Sequence, residues 1–302
     1  MPPKSLSVRV AVGFVSLSVV FGLWLVLRPS PANPPAAPLP SPNGYDELLR
    51  AGRLSQGGSP GSQSTDGQAL RAHVEKNAMA ITLAHRALIR QFRVPTQFSH
   101  EWMTNHLEDS ALLKQLTHAL VAEGRLTELE GRPGEAAKSY LAAVRLGQEG
   151  FRGGIMIDTL NSLSCQALGL APLQRLVAQL NAKECRELID ALERLHATRE
   201  TYREVMRRQN VWMRRACDWR EKLARLIQFR ERLEGKRRFK DRIQRIELQT
   251  RVVMLDLAVR AYEVEKGERP NSIDAVVPAY LRELPDDPLL RSNVVSRFGG
   301  AK

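Results

Sequence analysis

Residues 199–262 read RETYREVMRRQNVWMRRACDWREKLARLIQFRERLEGKRRFKDRIQRIELQTRVVMLDLAVRAY. Tyr202, Val205, Gln209, Trp212, Ala216, Trp219, Leu223, Ile227 and Leu233 recur at mostly three- and four-residue spacing. After Gly235 the rhythm resumes with Phe239, Ile243, Ile246, Val253, Leu257 and Tyr262. That is the period of an α-helix with one apolar stripe turned toward a partner. The stretch predicts one very long helix or two antiparallel helices turning near Gly235. The hairpin is preferred, because Gly235 stands in a polar run, Glu234 to Arg238.

The same stretch holds most of the chain's excess charge. From Arg203 to Arg251 there are seventeen Lys or Arg and seven Asp or Glu, a net of +10, against +12 for all 302 residues. The densest part is Lys236, Arg237, Arg238, Lys240, Arg242 and Arg245. It reads as a solvated helix face or as a contact for anionic lipid or acidic wall polymer. Nucleic acid is the less favoured partner, since no recognised DNA- or RNA-binding motif accompanies the tract. With 43% apolar and 26% charged residues the chain has the composition of a globular protein with a core.

Toward the N-terminus, residues 68–198 read as helix almost throughout. Ala69 to Phe92 carries Leu70, Val74, Ile81, Leu88 and Phe92. Leu112 to Leu129 and Pro133 to Leu146 form a pair joined by Glu130, Gly131 and Arg132, with Pro133 at a helix start, where its missing N–H costs nothing. Thr159 to Leu168, Pro172 to Leu180 and Lys183 to Ala197 follow, and Gly153 and Gly154 mark an interhelical turn. No window alternates with period two, so the fold class is all-α. Gly131, Ala136, Tyr140 and Ala143 have the spacing of the small and aromatic positions in a tetratricopeptide repeat. The resemblance covers Leu116 to Leu146 without a second copy, and implies a helix pair of that shape.

Ahead of this lie an anchor and two linkers. Val10 to Leu27 is eighteen residues without a charge, about 27 Å as a helix and close to the thickness of a bilayer core. Trp24 sits near its far end. Lys4 and Arg9 precede it and only Arg28 follows before Asp46, so the positive-inside rule places the N-terminus in the cytoplasm and the bulk of the chain outside. Residues 1–28 are thus expected to be a cytoplasmic tip and a transmembrane helix. A cleaved secretory signal is the rival, with a poor cleavage site at Pro29, Ser30 and Pro31. Residues 29–67 read as linker. Prolines from Pro29 to Pro42 favour a polyproline stalk of about 45 Å, Gln56 to Gly67 is Gly/Ser-rich, and Tyr45 to Arg53 is a short helix of little consequence between them.

No pattern of residues amounts to a catalytic or metal site. His100, Glu101 and His106 suggest a zinc-peptidase helix, but that motif needs histidines four apart. Six apart, they diverge by about 240° on a helix and read as surface and cap positions. There is no G-x-S-x-G elbow and no P-loop. Cys165, Cys185 and Cys217 form no CxxC pair and read as small buried residues, a Cys165–Cys185 bridge remaining open. No cofactor is expected.

The last segment, 254–302, carries a second resemblance. Leu257, Tyr262, Gly267, Pro270, Ile273, Pro278, Tyr280, Leu281, Leu284, Pro285, Asp287 and Pro288 resemble the tail of type II secretion major pseudopilins. There a helix ends in glycine, a Tyr-Pro turn follows, then a short helix and a Pro-x-Asp-Pro corner. Arg269 stands where that pattern has tyrosine and Leu289 where it has an aromatic residue. The prepilin junction is missing too, since Gly13 and Phe14 are followed by Ser18 at the glutamate position. The combination of anchor, helical middle and this tail resembles a group of bacterial envelope proteins. The expected function is therefore a non-catalytic, membrane-anchored, extracytoplasmic interaction or scaffold protein that docks on a protein partner. An envelope hydrolase, or a component associated with a secretion system, is the alternative.

Overall fold

The computed structural model describes residues 38–57, 64–217, 221 and 229–282. Among them the regular elements are helical: α1 (Gly44–Leu54), α2 (Gly67–Lys76), α3 (Ala78–Ala87), α4 (His100–Leu129), α5 (Pro133–Glu149), α6 (Met156–Leu176), α7 (Ala182–Ala197), α8 (Tyr202–Ala216) and α9 (Phe229–Lys266). Short 3-10 turns lie at Val177–Gln179 and Ile273–Val276. The all-α expectation holds. The Val10–Leu27 stretch, 29–37 of the stalk, 58–63 of the Gly/Ser segment, Trp219, Leu223, Ile227 and the Leu284–Pro288 corner lie outside the described residues. Among the described residues no helix is long and apolar enough to cross a membrane.

Helix α5 is the centre of the body. Ala136, Ala137, Tyr140, Ala143 and Leu146 are fully buried, and Ser139, Gly147 and Gln148 are buried as well. A helix enclosed on nearly every side is built from small and apolar residues, and alanine adds the best helix propensity. It packs between α4 and α6 and reaches α7. Against α6 the approach is backbone to backbone. A Cβ at Gly147 would lie 2.7 Å from the Gln166 amide nitrogen, and one at Gly169 would lie 2.6 Å from the Tyr140 carbonyl oxygen. Toward α4, Tyr140 fills the space beside Gly124, and its hydroxyl donates to Glu128 at 2.6 Å. The expected helix pair spanning Leu116 to Leu146 is present.

Helices α1 to α3 flank α4. Tyr45, Leu48, Leu49 and Ala51 of α1 are buried in the main core, which corrects the sequence reading of this helix as inconsequential. The docking begins at Asn43, whose amide donates to the Arg93 carbonyl (2.8 Å) and accepts from the Arg93 N–H (3.1 Å). Gly44 N–H donates to the Gln91 carbonyl at 2.8 Å. The single helix predicted from Ala69 is broken at Asn77, which is fully buried. Its side chain accepts from Ser55 Oγ (3.1 Å) and the Gln56 N–H (2.7 Å) and donates to the His73 carbonyl (2.9 Å). A side chain engaged with backbone groups in this way competes with helix continuation. Conversely, α6 runs through Pro172 and joins two segments that the sequence separates.

Helices α7 and α9 cover the other side, with α9 against α7 and α6. The predicted stripe of α9 faces inward: Phe239, Ile243, Ile246, Val253 and Leu257 are buried, and Tyr262 is half-buried next to the buried Ala261. The helix passes through Gly235 without a break, which overturns the hairpin turn expected there. Gly235 is exposed and has no atom within 4 Å of an added Cβ. A lone interior glycine costs about 1 kcal/mol, less than the apolar stripe that follows contributes. Past Lys266, Gly267 takes a left-handed φ of 75° and caps the helix. Tyr280 then packs on Tyr262, ring centroids 5.7 Å apart. Arg186 lies over the Tyr280 ring at 4.5 Å. The Arg186 guanidinium and then the Tyr280 hydroxyl hold the Glu265 carboxyl down to about 2.

Two glycines test this packing in opposite directions. Gly235→Ala should stabilise the protein by about 0.5–1 kcal/mol, as in an open helix interior. Gly169→Ala should destabilise it by about 1–3 kcal/mol, because α5 must move away. Urea midpoints read both; a loss of stability in Gly235→Ala would mean that the chain turns there.

Candidate functional site

Asp158 is the third residue of α6 and is fully buried. One carboxylate oxygen accepts the Ile155 N–H at 2.7 Å, capping the helix. The other accepts from Nε2 of His106 on α4. His106, only 2% exposed, shares its Nδ1 with the Tyr45 hydroxyl of α1 at 3.2 Å. The Trp102 ring stacks on the imidazole at 4.4 Å between centroids. The surface assignment of His106 is therefore corrected: four-residue spacing from Trp102 puts both rings on the inward face. His100 and Glu101 are exposed as expected, and His100 lies 3.6 Å from Glu221.

Carboxylate, imidazole and hydroxyl in a row have the connectivity of a nucleophile relay. Here, however, the hydroxyl end is closed to substrate. Burial, then the charges of Asp109 and Asp158, push the Tyr45 phenol well above its ordinary range, opposite to what activates a nucleophile. The row works as a strut joining α1, α4 and α6. Among the described residues no group of three His, Cys, Asp or Glu is placed to hold a metal ion. The three cysteines are buried thiols, and burial pushes Cys165 and Cys185 up to about 11.

The basic tract lies on α9. Arg237, Arg238, Lys240, Arg242 and Arg245 are exposed and Lys236 is half-buried. Among the described residues only Arg238 of the six is ion-paired, with Glu234 at 3.0 Å. At about 100° per residue the buried Phe239, Ile243 and Ile246 occupy roughly 60° of the helix. The six cations spread over about 240° of the remainder, along about 14 Å of axis. They form a collar, with Arg237, Arg238 and Arg245 turned furthest from the core. With α9 unbroken at Gly235, they do not converge at a turn.

A third feature was not visible in the sequence. A cavity of about 40 Å³ lies where the end of α5, the first half of α6, residues 199–200, α8 and α9 meet. Phe151, Leu163, Val205 and Ile243 form its apolar wall, and Gln148, Arg152, Thr159, Ser162, Gln166, Arg199 and Glu200 the rest. Arg199 donates to Gln166 Oε1 (2.8 Å), and Gln166 Nε2 donates to Ser162 Oγ (2.9 Å). Arg152 is held by Glu149 (2.7 Å) and the Thr198 carbonyl (2.8 Å). Glu200 accepts from Arg208 (2.8 Å) and the Gly153 N–H (3.1 Å). Gly153 has φ 80°, in the expected turn between α5 and α6.

Removing the imidazole should leave Asp158 buried without its partner, so His106→Ala should cost about 3–5 kcal/mol. His100→Ala, at the surface, should stay within about 0.5 kcal/mol. Equal urea midpoints for the two variants would return His106 to the surface role that the sequence suggested.

In comparisons with known proteins, no family model, curated protein or solved structure matches the chain.

Proposed function

We propose that the protein is a membrane-anchored, extracytoplasmic helical interaction protein. In this reading Val10–Leu27 holds it in the bilayer and the proline-rich segment spaces the body from the surface. The α9 collar then engages an anionic envelope surface. The observation that carries the reading is the two-sidedness of α9: an apolar stripe buried on α6 and α7, and exposed cations over most of the rest. The stripe already accounts for the packing of α9. The cations add nothing to that packing, and exposed like charges repel one another, so an external anionic partner gives their density a purpose.

Three measurements test this. Alkaline carbonate should leave the chain in the membrane, and protease outside spheroplasts should degrade it beyond Pro29; release by carbonate removes the anchor, and protection reverses the topology. For the collar, proteoliposomes carrying the full chain should capture a second population of anionic vesicles. Each Lys or Arg near such a surface contributes about 1 kcal/mol. Changing Arg237, Arg238 and Arg245 together to Gln should therefore weaken capture by about a hundredfold. Capture should also vanish in molar salt, where the Debye length is about 3 Å. Capture that survives both treatments would leave the collar a solvated face.

A further inference from the structure

A pocket of about 300 Å³ opens between α2, α4 and residues 56–57. Ala111, Lys114, Gln115 and His118 form its floor, at three- and four-residue spacing along one face of α4. His73 of α2 supplies a wall. Three of these side chains are basic, none of the lining residues is acidic, and Ala111 is the only apolar side chain among them.

Asn77 sets the state of His73, which is 8% exposed. Its Oδ1 accepts the Gln56 N–H at 2.7 Å and the Ser55 hydroxyl at 3.1 Å, so its Nδ2 is the atom that faces His73 Nε2, at 3.4 Å. A ring nitrogen set against an amide NH2 group is an acceptor, and the ring proton then sits on Nδ1. That N–H has no hydrogen-bond partner among the described residues, and it keeps some exposure. Buried polar groups of native proteins are nearly always paired, so a donor on a nearly buried ring in a pocket wall describes part of what the pocket takes.

Charge narrows the description. Burial is the largest influence on both histidines and disfavours their protonated forms; the charges that add to it are Lys114 on His118, and Lys76 and His118 on His73. No carboxylate of α1, α2 or α4 bears on either ring. Lys114 has no ion-pair partner among the described residues, and residues 58–63, next along the chain from the wall, carry no charge in the sequence. The same cations oppose a metal ion, and among the described residues no third His, Cys, Asp or Glu joins the two histidines. Donors that repel further positive charge select an anion. Three separate donors suit the three terminal oxygens of a phosphate monoester better than the two of a carboxylate or a diester. A water needs about 10–15 Å³ on this measure, so about 300 Å³ leaves room for the group that carries the phosphate.

We propose that this pocket binds the phosphate group of a small phosphate monoester, with Lys114 as its counter-charge and His73 and His118 as donors to its terminal oxygens. Binding then takes up a proton at His118, because the dianion offsets Lys114 and favours the imidazolium. His73 stays neutral, since a proton on its Nε2 would face the Asn77 NH2 group. Free His118 titrates below the usual histidine range, and its proton affinity rises in the complex. Affinity therefore grows as pH falls from about 8 to about 6.5, above the second ionisation of the ester at about 6. The site lies on α2 and α4 and is independent of the α9 collar.

The test uses the full chain in detergent, titrated at fixed ionic strength with glycerol 3-phosphate, inorganic phosphate, dimethyl phosphate and acetate in separate arms. The ³¹P line width reads the first three and thermal shift reads all four. Saturable binding of glycerol 3-phosphate is expected, with dimethyl phosphate and acetate weaker by about tenfold or more. It should be about three- to tenfold tighter at about pH 6.5 than at about pH 8. Lys114→Gln should weaken it by about tenfold. His118→Gln keeps a donor without a titrating group and should flatten the pH profile. Lys114 is exposed and His118 half-buried, so both variants should fold, and circular dichroism checks that they do. Changing Arg237, Arg238 and Arg245 to Gln should leave the binding unchanged. Wild-type chain that shows no saturable binding of the ester, or binding indifferent to Lys114→Gln, overturns the site. Dimethyl phosphate or acetate bound as tightly as the ester overturns the three-oxygen reading, and inorganic phosphate bound more tightly than the ester overturns the ester as ligand.

Discussion

The closeness of α5 to α6 is the constraint on which the body depends. With no side chain at Gly147 or Gly169, each glycine rests against the main chain of the other helix. At that distance dispersion contacts are dense and tolerance for added atoms is small. The small residues around α5 extend the same condition toward α4, where Tyr140 covers Gly124. Once this three-helix layer is fixed, α1 to α3 and the pair α7 and α9 cover its two sides. The layer also fixes the spacing of Gln148 on α5 from Ser162 and Gln166 on α6, and hence the shape of the cavity there.

The parts of this architecture legible in the sequence are those governed by local periodicity. The stripe residues Phe239, Ile243, Ile246, Val253 and Leu257 are buried in α9 as predicted, and Pro133 marked the start of α5. Boundaries failed where a tertiary contact overruled a local signal. Gly235 looked like a turn, yet the packed stripe beyond it carries the helix through. Asn77 looked like an ordinary helical residue, yet Ser55 and Gln56 draw its side chain away.

The functional residues divide in the same way. A charge-dense tract shows in composition, so the cations of α9 were named in advance, though their arrangement as a collar needed a continuous helix. The six-residue gap between His100 and His106 argued against their sharing a ligand, but could not say which of the two faces inward. The available signal was Trp102, one helical turn before His106. Asp158 lies 52 positions from its histidine, and the cavity draws on residues of several helices. No local pattern joins such groups, because only the packing of α5 on α6 makes them neighbours.

The way the first helix is fastened has a mechanical consequence. Traction on the chain ahead of Asn43 enters the body through three consecutive residues: Asn43 and Gly44 on the 91–93 segment, and Tyr45 on His106, which is bound in turn to Asp158. Fasteners so closely spaced share a pull instead of breaking one after another. The last of them hands the force to α4 and α6, the two helices that enclose α5. Pulled from this end, α1 is loaded at its first turn, and the load passes directly to α4 and α6.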